Sequence, residues 1–551
     1  MPPDLAIKGL KMMRGYFPGK LVIGYLGVAF ALTCSAQSTS NKTWLSWHFA
    51  GTAGIHANAN ATTVKEIISL PASKALAERL VHNVARAPER QIAGSDAAEH
   101  PVRQQLAVGL VEDLLKNESL GAISGPENGA PTLSLGIKLS ADGLKTWNQG
   151  LRRYLGSLDI PLPEEGAATW KHDNDDGSTV YQMAKKGEWL LFSAGASEFS
   201  LVSRWAEQIE NNQAPNLSDG EILSLATETA ELVKWLTNLS LPSLPSISAS
   251  FKPEANGVRL EASLELEQAV ASELPEWDVP KDLIMDPLVS FSGTRGLTDV
   301  IKSFPAAAPL ASVGLPDQFY SWARQALIQT NRPPLFPLYL GWPIPNEDIH
   351  VGELTQRLPR IVGTDMLTSG SARLVTLPND NETRLQLLPG FIYPFVRGMT
   401  NQNQGVRVAG LFPITINSNY PPAGLFQQLN SEDRLVHYHW EASQFRIKSF
   451  KTFFSLLEFL FAKPSANLKG PGMTWLNAIE PRMGNAVTMV TAPEPQRLKL
   501  VRKAKFGLTA LELAALATWI DSDKFPWIDE SVLAEWSLRS FVPTPTLPAS
   551  K

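Results

Sequence analysis

The chain has 551 residues, 44% of them hydrophobic and 19% charged, which supports a large core and exceeds one ordinary domain. Its formal net charge is −5 and its lysines and arginines are scattered, so it lacks the concentrated positive charge that nucleic acid or an anionic membrane surface demands. The single cysteine, Cys34, excludes an internal disulfide and a thiolate metal cluster.

In chain order, the first feature is an apolar run over residues 21–33, preceded by Lys8, Lys11, Arg14 and Lys20 and closed by Cys34, Ser35 and Ala36. A basic flank, a short apolar stretch and small residues before a polar start at Gln37 are the parts of an export signal. Crossing a bilayer takes about 20 apolar residues, and Pro18, Lys20 and Gln37 bound this run too tightly for that. Residues 1–36 are therefore read as a cleaved signal peptide, with Met12 and Met13 as alternative starts and an uncleaved anchor as the competing reading. Ala31-Leu32-Thr33-Cys34 resembles a bacterial lipoprotein box, which makes acylation of Cys34 the alternative to cleavage after Ala36; the small residue expected before the cysteine is absent. A periplasmic or secreted location follows, lipid-anchored to the envelope if Cys34 is retained, with no transmembrane domain beyond the signal segment.

Two amphipathic helices come next, one carrying Leu76, Leu80 and Val84 and one carrying Leu106, Leu110 and Leu114 at helical spacing. From Thr132 the period changes: Leu133, Leu135, Ile137 and Leu139 alternate as in a half-buried strand, before a helix over 143–155. Strands are expected at 168–173, 178–184 and 189–194, then a helix with Phe199, Val202 and Trp205. Ser218 and Glu221 have capping-box spacing and predict a helix running to Trp235.

Residues 239–247 read LSLPSLPSI, a proline spacing that forbids helix and suggests a linker, so a domain boundary is placed at 245/246. A hairpin follows, 247–252 and then Val258, Leu260, Ala262, Leu264 and Leu266 in alternation; its outward residues include Glu261, Glu265 and Glu267. Residues 304–348, rich in proline and aromatics, are expected to be irregular with one helix over 319–327. Strands are expected at 372–377, 383–388, 407–412, 435–442 and 486–490, an apolar helix at 450–461, and a helix opened by a Thr509/Glu512 capping box. The expected fold is α+β, two domains of antiparallel sheet with helices packed on one face, divided as 37–245 and 246–530 with a tail over 531–551.

The candidate sites are few. His437 and His439 lie two apart on one strand face, a spacing that can supply two imidazoles to zinc; the competing reading is two histidines on a half-exposed strand. His172 to Gly177, HDNDDG, offers oxygen ligands, but its glycine comes one position early for a calcium loop and a hairpin turn is the better reading. Glu261, Glu265 and Glu267 could pair for sugar hydrolysis, but carboxylates along one strand usually make a solvated edge. The fifteen tryptophans serve either as core fillers or as sugar-stacking platforms. No nucleophile elbow, phosphate loop, dinucleotide fingerprint or HExxH zinc motif occurs, so no catalytic residue and no cofactor is assigned.

Trp47-His48-Phe49-Ala50-Gly51 with Asn58, Asn60 and Leu70-Pro71, and Gly507 to Glu512 with Trp519, Phe525 and Pro526, resemble segments of large exported proteins of unknown function from Verrucomicrobia-like bacteria. The resemblance implies an envelope or secreted location and supplies no activity. Export without a catalytic motif points to a non-catalytic binding or assembly component whose partner is an envelope protein or a glycan. The alternatives are a periplasmic hydrolase with a noncontiguous site and a carbohydrate-binding protein.

Overall fold

A computed structural model describes residues 43–93, 100–126, 130–162, 169–174, 177–213, 215–232, 245–303, 316–325, 327–329, 332–335, 337–345, 372–377, 381–387, 395–401, 404–410, 421, 424–461, 470–522 and 525. Residues 1–36, expected to form a signal peptide, with Cys34 among them, Asp175 and Asp176, the proline-rich stretch 239–244 and residues 531–551 lie outside these residues.

The first half of the chain runs β1 (Thr43–Phe49), α1 (Gly51–Ala57), α2 (Thr62–Ile68), α3 (Pro71–Ala93), α4 (Pro101–Lys116), β2 (Ser119–Ser124), β3 (Thr132–Lys138) and α5 (Ala141–Ser157). It continues β4 (Thr169–Asn174), β5 (Gly177–Lys186), β6 (Trp189–Gly195), α6 (Val202–Glu210), β7 (Leu223–Glu228), β8 (Ser246–Glu254) and β9 (Gly257–Glu265). The second half holds β10 (Leu288–Arg295), α7 (Thr298–Ser303), β11 (Gln318–Arg324), a small hairpin β12 (Leu327–Gln329) and β13 (Arg332–Leu335), then β14 (Leu338–Ile344), β15 (Ala372–Leu377), β16 (Glu382–Leu387), β17 (Phe395–Asn401) and β18 (Gln404–Gly410). It closes with α8 (Gly424–Gln427), β19 (Leu435–Ala442), α9 (Ser443–Phe461), α10 (Pro471–Ile479), β20 (Asn485–Glu494), β21 (Arg497–Ala504) and α11 (Ala510–Asp521).

Apart from the β12–β13 hairpin, these strands form one 19-stranded sheet, antiparallel at every pairing. Following the pairings, the order is β4-β5-β6-β3-β2-β1-β7-β8-β9-β21-β20-β19-β10-β11-β14-β18-β17-β16-β15. The fold is α+β. At the expected boundary, β7 on one side pairs with β8 on the other, and one hydrophobic core gathers Leu225, Ala249, Trp475 and Leu513.

Burial changes face along this sheet. In the β1–β9 part, Leu45, Trp47, Ile123, Leu135, Phe192, Leu225 and Leu260 share a face and pack with Val64, Val84, Val111, Leu151, Trp475 and Leu513 from the helices. Trp47 covers Gly121 on the neighbouring strand so closely that a Cβ there would meet the indole at 2.0 Å. In the β10–β18 part the core lies on the other face, built from Phe291, Tyr320, Trp322, Tyr339, Val408, Phe395 and Tyr438 with Leu283, Ile284 and Leu429. The register proves the switch: Leu260 faces Arg502, Arg502 faces Thr488, Thr488 faces His439 and His439 faces Ser292. Directly opposed residues point to the same side, so the helix-covered face of the first half continues as a polar face in the second.

Several expectations are corrected. Leu223–Glu228 is a strand between β1 and β8, because Leu223, Leu225 and Thr227 alternate inward; Ser218 and Glu221 close only a turn. Residues 318–324 and 338–344 are strands whose buried Tyr320, Trp322 and Tyr339 alternate, where a helix and irregular chain were expected. The β3 strand is buried on both faces, since Val202 and Trp205 of α6 pack with Leu120, Trp189 and Leu191 on the reverse side. The strand β9 is internal, between β8 and β21, so Glu261 and Glu265 do not guard an edge; they pair with Arg259 and Arg497 at 2.6 Å each.

Candidate functional site

The polar face of β19 and β10 is the densest concentration of chemistry among the described residues. His437, His439 and Glu441 alternate along β19 and so share its face, opposite the buried Tyr438. Each imidazole meets a hydroxyl of β10: His439 Nδ1 lies 2.7 Å from Ser292 Oγ and His437 Nδ1 lies 2.8 Å from Thr294 Oγ1. His439 Nε2 faces Glu441 Oε2 at 3.4 Å.

Glu441 is only 2% exposed. Its Oε1 accepts from Ser443 Oγ at 2.6 Å and from the Ala510 backbone N–H at 2.7 Å, the latter at the start of α11. Burial opposes the charged form, but the hydrogen bonds from His439, Ser443 and Ala510 outweigh it and keep the carboxyl below its usual range. Burial weakens the charged form of the neighbouring Arg446 guanidinium, while Glu441 favours it. Burial also pushes His437 down to about 4, helped by His439 and the Arg502 charge, so this ring is neutral at pH 7.

The helix α11 is locked to the same site. Thr509 and Glu512 form the full reciprocal capping box, and Glu512 also takes Arg502 Nη1 at 2.7 Å while Arg502 Nε donates to Thr488 Oγ1 at 2.8 Å. Sequence spacing located this cap, but its second role as anchor for a buried arginine depends on tertiary contact.

Beyond β10 the same face carries an aliphatic stretch, with Arg407 opposite Trp342 and the buried Thr383 opposite Val396 at its borders. Ser292 faces Ser321, Ser321 faces Leu340, Leu340 faces Ala409 and Ala409 faces Val396. Leu338 and Leu340 are 40% and 41% exposed, among the most exposed large apolar side chains described. Phe319, Trp342 and Val396 are half-buried. A single row therefore runs from charged and hydroxylic residues through an aliphatic stretch, about 19 Å from Ser292 to Val396 at roughly 4.8 Å per strand, before it reaches Thr383.

The metal reading of His437 and His439 gains no third ligand: among the described residues no group of three or more His, Cys, Asp or Glu side chains could hold an ion. The imidazoles instead face hydroxyls and a carboxylate beside α9 and α11, so they do not stand on a freely solvated face. Of the HDNDDG segment, Asn174 closes β4 and faces Gly177, which opens β5, while Asp175 and Asp176 lie outside the described residues. None of the described tryptophans is exposed. A second histidine–carboxylate pair, His48 with Glu118 at 2.9 Å, is neutralised by Lys138 at 3.1 Å and serves as a tie between β1, β3 and the chain before β2.

Ser292, Glu441, Arg502 and Leu340 were not singled out by sequence reasoning. The alternation of SFSGT over 290–294 and of HxHxE over 437–441 carried a signal that each segment presents one polar face. That the two faces adjoin is a fact of strand pairing. Among the described residues no helix is long and apolar enough to cross a membrane. Comparison of the chain with protein-family models, with curated proteins and with solved structures finds no match.

Proposed function

We propose that this chain is an exported component of the bacterial envelope that binds an amphiphile with an extended acyl chain along the face of its distal sheet that carries Leu338 and Leu340. The observation that carries the reading is the row Ser292, Ser321, Leu340, Ala409, Val396, which joins a hydroxylic end to an aliphatic stretch on one face. A core-forming sheet face in water is covered; here the apolar side chains at 338 and 340 are left about two-fifths exposed. A protein partner would be served by a flat patch without a polar end, whereas a head group and a chain need both ends in line.

The export signal supports the envelope location, and the acidic charge supports a neutral or lipidic ligand over a polyanion. The test is titration of purified protein with N-phenyl-1-naphthylamine, whose fluorescence rises in an apolar site, followed by displacement with a fatty acid. Binding should be saturable and displaceable and should be lost in Leu340→Glu. Equal binding by the wild type and by Leu340→Glu would count against the reading, as would binding that a fatty acid cannot displace.

A further inference from the structure

The row that takes the chain begins at a hydroxyl whose surroundings are those of an activated nucleophile. Glu441 is anionic and its Oε2 is turned to His439 Nε2 at 3.4 Å, so the imidazole proton belongs on Nε2. Nδ1 is then the acceptor, and at 2.7 Å from Oγ it takes the Ser292 hydroxyl proton as a hydrogen bond. The carboxylate is itself fixed on both sides, by Ser443 and by the α11 backbone. A nucleophile, a base and a group that orients the base are all present, each within reach of the next. The base uses Nδ1 and the anchor uses Nε2; the roles require only that the two nitrogens differ.

The neighbouring pair supplies a contrast. Thr294 and His437 have the same hydroxyl–imidazole contact, but Thr294 is buried and is closed to a substrate. Ser292 is half-exposed and stands where the covered part of the face meets the open part. Its direct neighbour Ser321 puts a second hydroxyl about 5 Å away between Cβ atoms, on the side where a substrate carbonyl oxygen would gather charge.

We propose that Ser292 is a catalytic nucleophile, with His439 as its base and Glu441 as the positioning carboxylate, that cleaves an ester whose acyl chain lies over Leu340 and Ala409. The inference rests on the acyl-binding reading above. Oγ bonds to the ester carbonyl carbon while its proton passes to His439 Nδ1. The tetrahedral adduct then collapses, and the alcohol leaves with that proton, giving an acyl-serine. A water gives a proton to His439 and its oxygen to the acyl carbon, and Ser292 recovers its proton as the carboxylic acid departs.

The test uses purified full chain, a fluorophosphonate probe and p-nitrophenyl esters from acetate to palmitate. In the probe reaction Oγ bonds to phosphorus and fluoride leaves. The expected result is one adduct mapped by mass spectrometry to Ser292, absent in Ser292→Ala, retained in Thr294→Ala, and formed at least about a hundredfold more slowly in Glu441→Gln and His439→Gln. Long-chain esters should be cleaved faster than acetate, and Leu340→Glu should erase that preference. Ser292→Ala should still bind N-phenyl-1-naphthylamine, which shows that it is folded. Wild-type protein that binds fatty acid but takes no probe and cleaves no ester overturns the inference and leaves the binding reading standing. Labelling at Ser292 without fatty-acid binding overturns the acyl-chain assignment and the binding reading together.

Discussion

Lowering the pH should destabilise this protein through one imidazole before its carboxylates respond. Burial, helped by the neighbouring His439 and by the Arg502 charge, pushes His437 down to about 4 in the folded chain against an ordinary value of 6.5. Because the unfolded chain binds the proton more readily, stability is fully present above pH 6.5, falls as pH drops from 6.5 toward 4, and levels off below that. A gap of that size corresponds to about 3 kcal/mol in full, and about 2 kcal/mol of it is lost by pH 5; water reaching the partly exposed residue reduces both figures. Glu441, whose carboxyl is depressed, contributes in the same direction but only below its ordinary 4.5, so the interval from pH 7.5 to 5 belongs to the histidine. The assay is urea unfolding followed by tryptophan fluorescence at a series of pH values, for the wild type and for His437→Asn, which keeps a polar group toward Thr294 and does not titrate. The wild type should lose up to about 2 kcal/mol across the interval and the variant markedly less. Parallel pH dependence in the two proteins would falsify the buried, neutral assignment of His437.

Gly121→Ala should cost about 3 kcal/mol or prevent folding, since the new methyl lands 2.0 Å from the buried Trp47 ring; a change below 1 kcal/mol in urea midpoint analysis would mean that the two strands separate easily. Thr509→Ala removes the acceptor for the Glu512 backbone N–H and should cost about 1 kcal/mol, while Glu512→Gln should cost more because the buried Arg502 also loses its ionic partner. Export with cleavage after Ala36 predicts that protein recovered from the envelope begins at Gln37; a mature chain beginning at an acylated Cys34 would establish the lipoprotein alternative.

Local pattern carried most of the element assignments. Strands such as β3 and β9 alternate, α5 and α11 have a hydroxyl N-cap before an apolar stripe, and these signals need only neighbours in sequence. The helix expected after Ser218 failed because a capping spacing was allowed to outweigh the alternation of Leu223, Leu225 and Thr227. The aromatic stretch at 318–324 was misread for a related reason: Tyr320 and Trp322 alternate with Phe319, Ser321 and Ala323, but nearby prolines obscured the period. Fold class was legible because one wet strand face already implied antiparallel pairing. The site was not, because it rests on β19 lying beside β10, residues 147 apart where His439 meets Ser292. The two histidines were visible, but their hydroxyl and carboxylate partners acquire meaning only from that register.

Whether the face shared by Ser292 and Leu340 receives an acyl chain can be read by irradiating the protein with a fatty acid carrying a diazirine near its methyl end and mapping the adducts by mass spectrometry. Adducts should concentrate on β14, β17 and β18 at Leu338, Leu340, Val396 and Ala409, be competed by unlabelled fatty acid and be absent from the α6 side of the sheet. Adducts spread over both faces, or confined to segments away from this row, would contradict acyl-chain binding there.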